Sequence, residues 1–530
     1  MINNPLSGNI SEVHNPELIF GILGPIGTPI EDVVNELSQE LSHVGYSSEI
    51  IHLTALMRQI DIGCAVDENE FDARYESLIK YADTLRERCD HDGALAGLAI
   101  TEIQRRRELR IAKNAHEPQS SDTPIPALAT AYIIRQLKTP GEVEVLRSVY
   151  GKKFVLISVY CDITDIRKTI SNKMRSASSF TRDDAEYEKR TISLIDRDSN
   201  ERTNKFGQKV SEIFHLADVF VDGRTTKLIH GTISRFIKAL FGYNGTSPTR
   251  LEYGMYAAKA ASLRSIDLSR QVGASIFSEE GELITQGCNE VPKPFGGTYW
   301  HDDDGEAVRD FELGHDPNHQ RKEEIVHDFL DRLFKENLLT KDIAENELTY
   351  DYVRDVIGRR RIKDSQLMDI IEFGRIIHAE MCAITDAARL GRPLKNSVLY
   401  CTTFPCHMCA KHIVSSGVKR VVFLEPYPKS YARKLHDDSI TFNRDEQATK
   451  VFFEPFIGIS PSRYKDIFEK GKRKGASGKA KKWYYGEGDG QPRPQIHDLG
   501  SEYLERENPA IVLTMGKLSP PEEAKRQNQA

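Results

Sequence analysis

Two α/β domains in tandem are what this sequence predicts: a parallel sheet with helices on both faces, then a mixed-sheet α/β/α sandwich. Three observations predict them. The first is an apolar strand at 18–23 that runs into a glycine turn and a helix. The second is a pair of further apolar runs, at 154–160 and 219–221, each flanked by amphipathic helical sequence, the pattern of buried parallel strands. The third is the order of elements from about 249: Ala-rich helix, hairpin, helix, strand, helix, strand. At 530 residues the chain is also too long for one ordinary core.

The first domain is expected over 15–240. Its strand, glycine loop, helix and further alternation suggest a P-loop nucleotide-kinase-like sheet. Thr28 is expected to cap the helix, with Pro29 at its first position. Gly24, Gly27 and Thr28 form a candidate nucleotide-binding loop. The phosphate-loop pattern is G-x-x-x-x-G-K-[ST]. If Gly27 is its second glycine, Thr28 stands at the lysine position, Pro29 at the Ser/Thr position, and the first glycine falls on Ile22. Glu31 and Asp32 suit the helix end but oppose a phosphate there. A structural turn and a ligand-binding loop both stand as readings. The charged stretches 102–110, with Arg105-Arg106-Arg107, and 182–202 read as solvated helix faces, and 117–126 as an exposed loop. Within the second stretch Arg197-Asp198 is weighed as a lid-type phosphate contact.

The second domain is expected over 250–490, with an insert at 291–374, and a partly disordered tail at 491–530. A helix at 253–263 leads to a strand at 269–277 that turns at Glu279-Glu280-Gly281 and returns over 283–290. Residues 398–401 and 418–424 read as strands. Between and around them lie His378-Ala379-Glu380 and Pro405-Cys406-His407-Met408-Cys409. His378 and Glu380 should open a buried helix, and Pro405 sits where the next would begin.

Those two pieces, 28 positions apart, carry the chemistry. They match the H-x-E … P-C-x-x-C pattern of zinc-dependent nucleobase deaminases. His378, Cys406 and Cys409 supply three ligands to Zn²⁺ and leave the fourth position for water, whose pKa the metal lowers. Glu380, two residues from the imidazole, is placed to move protons. A C-x-x-C alone fits a redox pair or half of a structural zinc site. A redox pair has no need of His378-Glu380, and a closed structural site needs a better fourth ligand than Glu380. His407 should point away from the metal.

Composition narrows the class. With 39% hydrophobic and 28% charged residues the chain reads as soluble and globular. No run of about 20 apolar residues could span a bilayer, and the N-terminus lacks signal-peptide features. The 8 cysteines are scattered except for Cys406 and Cys409, as suits a reducing cytoplasm. A net charge of −7 argues against bulk nucleic-acid binding.

Residues 269–274 (Ser-Arg-Gln-Val-Gly-Ala), 287–289, His378-Ala379-Glu380, 402–409 and Glu425-Pro426-Tyr427 resemble the deoxycytidylate deaminase family over about 250–465. The two-domain arrangement and 452–464, FFEPFIGISPSRY, resemble the bacterial antiphage dCTP/dCMP deaminases. The resemblance implies a cytidine-deaminase-like sandwich that converts dCTP or dCMP to dUTP or dUMP and depletes a pool phage replication needs. It also implies an inhibitory small RNA. The glycine turn without a lysine points to a first domain that regulates through a nucleotide effector and is not a kinase, and the chain is expected to form a homo-oligomer. By carry-over Asn289 holds the sugar, and Arg270 sits where a phosphate contact is plausible. The family's glycine after that asparagine is Glu290 here.

The expected reaction is hydrolysis at C4 of cytosine, with Glu380 carrying protons to N3 and to ammonia, and backbone near Ala379, Thr402 and Thr403 holding the base edge. Competing readings are a deaminase of DNA or RNA, and a nucleotide sensor with a structural zinc. The insert's His301 to Asp304 and His315 to His319 read as a second metal or as a solvated acidic loop. The basic run 470–482 before Trp483-Tyr484-Tyr485 reads as a phosphate or RNA grip or as a solvated loop.

Overall fold

The computed structural model describes residues 15–114, 125–178, 183–201, 204–303, 308–338, 349–359, 365–427, 430–481, 483, 492–496 and 500–518. The chain divides into two units: residues up to 252 together with those from 457 onward, and residues 253–456. No helix among the described residues is long and apolar enough to cross a membrane.

The first unit is built on a six-stranded sheet in the order β12-β5-β4-β1-β3-β2. Its strands are β1 (Leu18–Leu23), β2 (Ser47–His52), β3 (Thr130–Arg135), β4 (Phe154–Tyr160), β5 (Val219–Asp222) and β12 (Gly458–Ile459). The first five run parallel and β12 is antiparallel to β5. Every residue of β1 is buried, as a central strand covered on both faces must be. Val33, Val34, Leu37 and Leu41 of the helix Ile30–His43 share one core with Ile229, Ile233, Phe236 and Ile237 of the helix Thr226–Leu240. The helix after β1 starts one residue later than expected: Pro29 is its cap residue, and the Thr28 hydroxyl donates to the Pro25 carbonyl (2.7 Å) instead of capping.

Two sequence expectations change here, the limit of the second domain and the exposure of Arg107. The limit of the second domain moves from 490 to 456, because the chain returns to the first sheet. Ile459 donates its N–H to Glu252, Ser460 donates to the Asp218 carbonyl, and Ile459, Ile467 and Ile496 enter the first unit's core. The tail after 491 includes the helix Tyr503–Met515; residues from Pro520 lie outside those described. Its Glu507 takes both terminal nitrogens of Arg107, at 2.8 and 2.7 Å. Arg107 is therefore core (3% exposed), not part of a solvated face; only Arg105 and Arg106 of that run lean outward, onto Glu102.

The second unit holds a mixed six-stranded sheet in the order β10-β11-β9-β8-β6-β7. Its strands are β6 (Gly273–Phe277), β7 (Leu283–Cys288), β8 (Val398–Thr403), β9 (Arg420–Glu425), β10 (Ile440–Thr441) and β11 (Val451–Pro455). The hairpin β6–β7 pairs antiparallel to β8, and β8, β9, β11 and β10 run parallel. Two glycines show the layers. A Cβ on Gly287 would lie 2.2 Å from the Ala379 carbonyl oxygen, and one on Gly273 would lie 2.0 Å from that of Ala258. Ala274 pairs with Gly287, so Gly273 faces the opposite side, and a helix packs closely on each face of the hairpin. The insert adds the helices Pro317–Lys335 and Tyr350–Gly358, closed over a small core of Val326, Val353 and Ile357.

Candidate active site

Two helix N-termini converge just beyond the C-terminal end of β8. His378 caps the helix Ala379–Arg389, and Cys406 caps the helix His407–Ser416, accepting the Cys409 N–H at 3.5 Å. Pro405 therefore precedes the cap and does not open the helix. The helices share a core through Ala379, Ala383, Cys409, Ala410 and Ile413. Small residues at this seam let the helices approach, and their N-terminal partial charge favours thiolate.

His378 Nδ1 lies 3.3 Å from Cys406 Sγ and 3.4 Å from Cys409 Sγ. These separations match the edges, about 3.5 Å, of a tetrahedral zinc polyhedron with Zn–S near 2.3 Å and Zn–N near 2.0 Å. The three donor atoms lie within 4.8 Å of one another, and the set of one imidazole and two thiols suits zinc. The Cys406 thiol is driven down to about 4, foremost because Cys409 donates to it, with His378 adding to the effect. Cys409 moves the opposite way, as expected when two thiols share one proton. A cation between them would discharge both. His407 turns outward, toward Glu372 at 3.4 Å.

Glu380 is 4% exposed and lies in the first turn behind His378. One carboxylate oxygen accepts from the Cys409 thiol at 3.5 Å. Burial is the main cause that raises its pKa, so it holds a proton more readily than an exposed glutamate. Glu380, His378 and Cys406 line a cavity of about 340 Å³.

Ala379, Thr403, Asn289 and Arg270 line the same cavity. The Asn289 amide is held by two backbone bonds, accepting from Val272 N (2.7 Å) and donating to the Arg270 carbonyl (2.8 Å). Arg270 contacts Glu425 at 3.0 Å and lies 5.2 Å from the Tyr427 ring centre. Thr402 is different: its hydroxyl accepts the Gly273 N–H at 3.0 Å and fixes the start of β6, and it is not among the lining residues. Glu290, at the position of the family's glycine, is buried and accepts from Ile266 N and Val291 N, with Arg309 of the insert 3.7 Å away.

The insert supplies part of the wall. Asp310, Asp316 and Asn318 face the cavity from one segment, and Ile371 and Gly374 from another. Asp316 and Asn318 stand out in the sequence only within the His315 to His319 cluster, and Asp310, Ile371 and Gly374 do not stand out at all. The Asp316-Pro317 pair marks a helix start, with the carboxylate accepting Asn318 N at 2.9 Å, but nothing in that signal points at a cavity. Among the described residues no metal-competent group forms in the insert; His319 pairs with Glu323 and Asp303 with Lys293.

Gly24, Gly27 and Thr28 belong to the first unit, at the end of β1. Gly27 has φ +89°. The loop is engaged by a carboxylate of the same unit: Asp198, 3% exposed, accepts Ile26 N at 2.8 Å and Lys138 Nζ at 2.7 Å. Lys138 also donates to the Gly24 carbonyl at 3.1 Å. In the basic run near the C-terminus, Lys470 donates to the Ala239 carbonyl and the Trp483 indole to that of Phe241; Tyr484 and Tyr485 lie outside the described residues.

Residues 248–425 match the cytidine and deoxycytidylate deaminase zinc-binding region. Deoxycytidylate deaminase of Enterobacteria phage T2 is 46% identical over 54 residues, which are 10% of this chain and 29% of that protein. ComE operon protein 2 of Bacillus subtilis (strain 168) is 38% identical over 66 residues, 12% of this chain and 35% of that protein. The chain thus spans about a third of the length of these relatives. Among solved structures, the dCMP deaminase of cyanophage S-TIM5 in complex with dCMP and dUMP aligns with 40% of this chain and 98% of its own, at 19% identity and a TM-score of 0.22. The metal that the matched region takes is zinc, and His378, Cys406 and Cys409 all lie inside it.

Proposed function

We propose that this chain is a zinc-dependent hydrolase that deaminates free cytosine deoxynucleotides, converting dCMP or dCTP to dUMP or dUTP. One observation carries the reading: a buried carboxylate, Glu380, touches the metal-ligand cluster at the floor of a cavity large enough for a nucleotide. Zinc held by His378, Cys406 and Cys409 supplies Lewis acidity, which makes a water nucleophile available near neutral pH.

The residues of this chain divide the remaining work. Glu380 takes a proton from the attacking water and gives it to ring N3 as the new C4–O bond forms. It then carries the second water proton to the amino group, so that the C4–N bond breaks with loss of ammonia. The backbone at Ala379 and Thr403 borders the base. Asn289 keeps one amide hydrogen for a sugar hydroxyl after its bond to the Arg270 carbonyl. Arg270 is the one arginine or lysine among the described lining residues, against the carboxylates of Asp267, Asp310 and Asp316. One guanidinium among these carboxylates suits a monophosphate better than a triphosphate. The insert walls one side of the cavity, which favours a free nucleotide over a continuous strand.

The wider role belongs to the same proposal: a homo-oligomeric antiphage enzyme that depletes cytosine deoxynucleotides, restrained by the first unit through a nucleotide effector and by a small RNA. The test is turnover of purified, zinc-loaded protein on cytosine, cytidine, dCMP, dCTP and cytosine-containing single-stranded DNA. Release of ammonia from dCMP or dCTP supports the reading. Turnover of the DNA alone overturns it.

A further inference from the structure

We propose that Glu36, Glu40 and His230 form a second divalent-cation site, in the first unit and separate from the His378 cluster. One donor atom from each residue lies within 4.8 Å of the others. Glu36 and Glu40 stand one turn apart on the helix Ile30–His43, so their side chains share a face. His230 comes from the helix Thr226–Leu240, which packs against that helix in the same hydrophobic core. The two backbones are fixed by this core, and the three donors meet without any loop having to order.

The second observation is the state of Glu40. It is 4% exposed, and its Oε2 has no hydrogen-bond partner. Among the described residues its other oxygen has only His43 Nδ1, at 3.7 Å. Glu36 is engaged by His230 Nδ1 at 2.6 Å. No lysine or arginine among the described residues pairs with Glu36 or Glu40. A protonated His230 answers Glu36 and still leaves the buried oxygen of Glu40 without a partner. A divalent cation answers all three residues, because a carboxylate taken out of water must be paired, hydrogen-bonded or ligated to metal.

The donor set defines the ligand. Two carboxylates and one imidazole, without sulfur, suit zinc, manganese, iron(II) or cobalt. The His230 side chain is 59% exposed, which leaves solvent a path to the site and water to complete the coordination. Bound there, the ion ties the helix that follows the Gly24 to Thr28 turn to the helix that follows β5.

The test uses the full-length chain, stripped with a chelator and dialysed against zinc or cobalt. Elemental analysis should give two equivalents per chain in the parent protein and one in His230→Ala and in Glu40→Gln. Cobalt distinguishes the sites. Thiolate charge-transfer bands belong to Cys406 and Cys409 and should persist in both variants, while the sulfur-free ligand-field bands should disappear. His230 is exposed on a helix surface, so its alanine variant keeps the fold even if Glu40→Gln does not, and circular dichroism checks both. One equivalent in the parent protein, or two retained in His230→Ala, overturns the site.

Discussion

Glu380 and Cys409 are in contact: a carboxylate oxygen of the first accepts from the thiol of the second at 3.5 Å. The proposed proton carrier thus touches a proposed ligand residue without being one of the three donors that cluster. Glu380→Gln keeps the shape and removes the exchangeable proton. Deamination should fall by more than the ~10²–10⁴-fold typical of a lost general acid–base group, because water activation fails with it. Zinc content should stay at the parent value. Ammonia release at even a tenth of the parent rate would sink the assigned role.

Cys406→Ala or Cys409→Ala should remove activity and metal together, since in the proposed site each thiolate is one of three protein ligands. Metal binding and folding are coupled, so the melting transition of the second unit should also fall. Elemental analysis decides: either variant that still holds zinc at the cluster, read by the cobalt thiolate band, means that the ligand set is wrong.

How far the sequence reveals this molecule depends on range. The strands 18–23 and 154–160 were visible because both faces of each are apolar, and the structure gives those bounds. His378, Cys406 and Cys409 are legible as a candidate ligand set because ligand chemistry restricts residue type and the helices fix spacing, and the structure brings the three together. Arg107 was misread because its partners, Glu17 and Glu507, lie 90 and 400 positions away and leave no periodic trace. Asp198 was seen beside Arg197 but not as a partner of the glycine loop. The Thr402 hydroxyl holds a strand end through the Gly273 N–H, a long-range contact that the sequence does not mark. The acidic wall from Asp310 and Asp316 comes from an insert whose docking onto the cavity no local pattern encodes.

Asn289→Ala should weaken use of deoxynucleotides without loss of zinc. The substitution removes a buried amide that serves Val272 N and the Arg270 carbonyl as well as the cavity. Leaving a sugar hydroxyl without its partner costs about 1–3 kcal/mol in transition-state binding, roughly 5- to 150-fold in kcat/KM. Comparison of dCMP with free cytosine separates the roles. A purely structural residue would depress both equally.

Asp198→Ala should destabilise the first unit by about 3–5 kcal/mol, the usual cost of removing one partner from a buried ion pair. It leaves Lys138 as a buried ammonium and strips Ile26 N–H of its acceptor. Inorganic phosphate should restore more stability to this variant than to the parent, since the vacated position has a cation and a backbone N–H facing it. Of the two tryptophans, Trp483 lies in the first unit, so its fluorescence in a Trp300→Phe background follows urea unfolding there. An unchanged midpoint would show that the pair adds nothing.

Removal of residues 501–530 should unfold the first unit more readily and leave the zinc cluster filled. The helix Tyr503–Met515 is not an appendage. Its Glu507 accepts from Arg107 and Tyr150, and its Tyr503 hydroxyl donates to Glu17 at 2.6 Å. Glu17 also accepts from Arg107 and from Ala127 N. Truncation therefore leaves Arg107 with one carboxylate instead of two and uncovers apolar surface on the helix Ala94–Asn114. The single change Glu507→Gln keeps the shape and removes one charge, so it should cost less than Arg107→Ala, which strands two buried carboxylates. A double-mutant cycle on Arg107 and Glu507 should give a coupling of about 1–3 kcal/mol, within the range for residues in one network. Additive effects of the two substitutions would mean that the tail helix is held by packing alone.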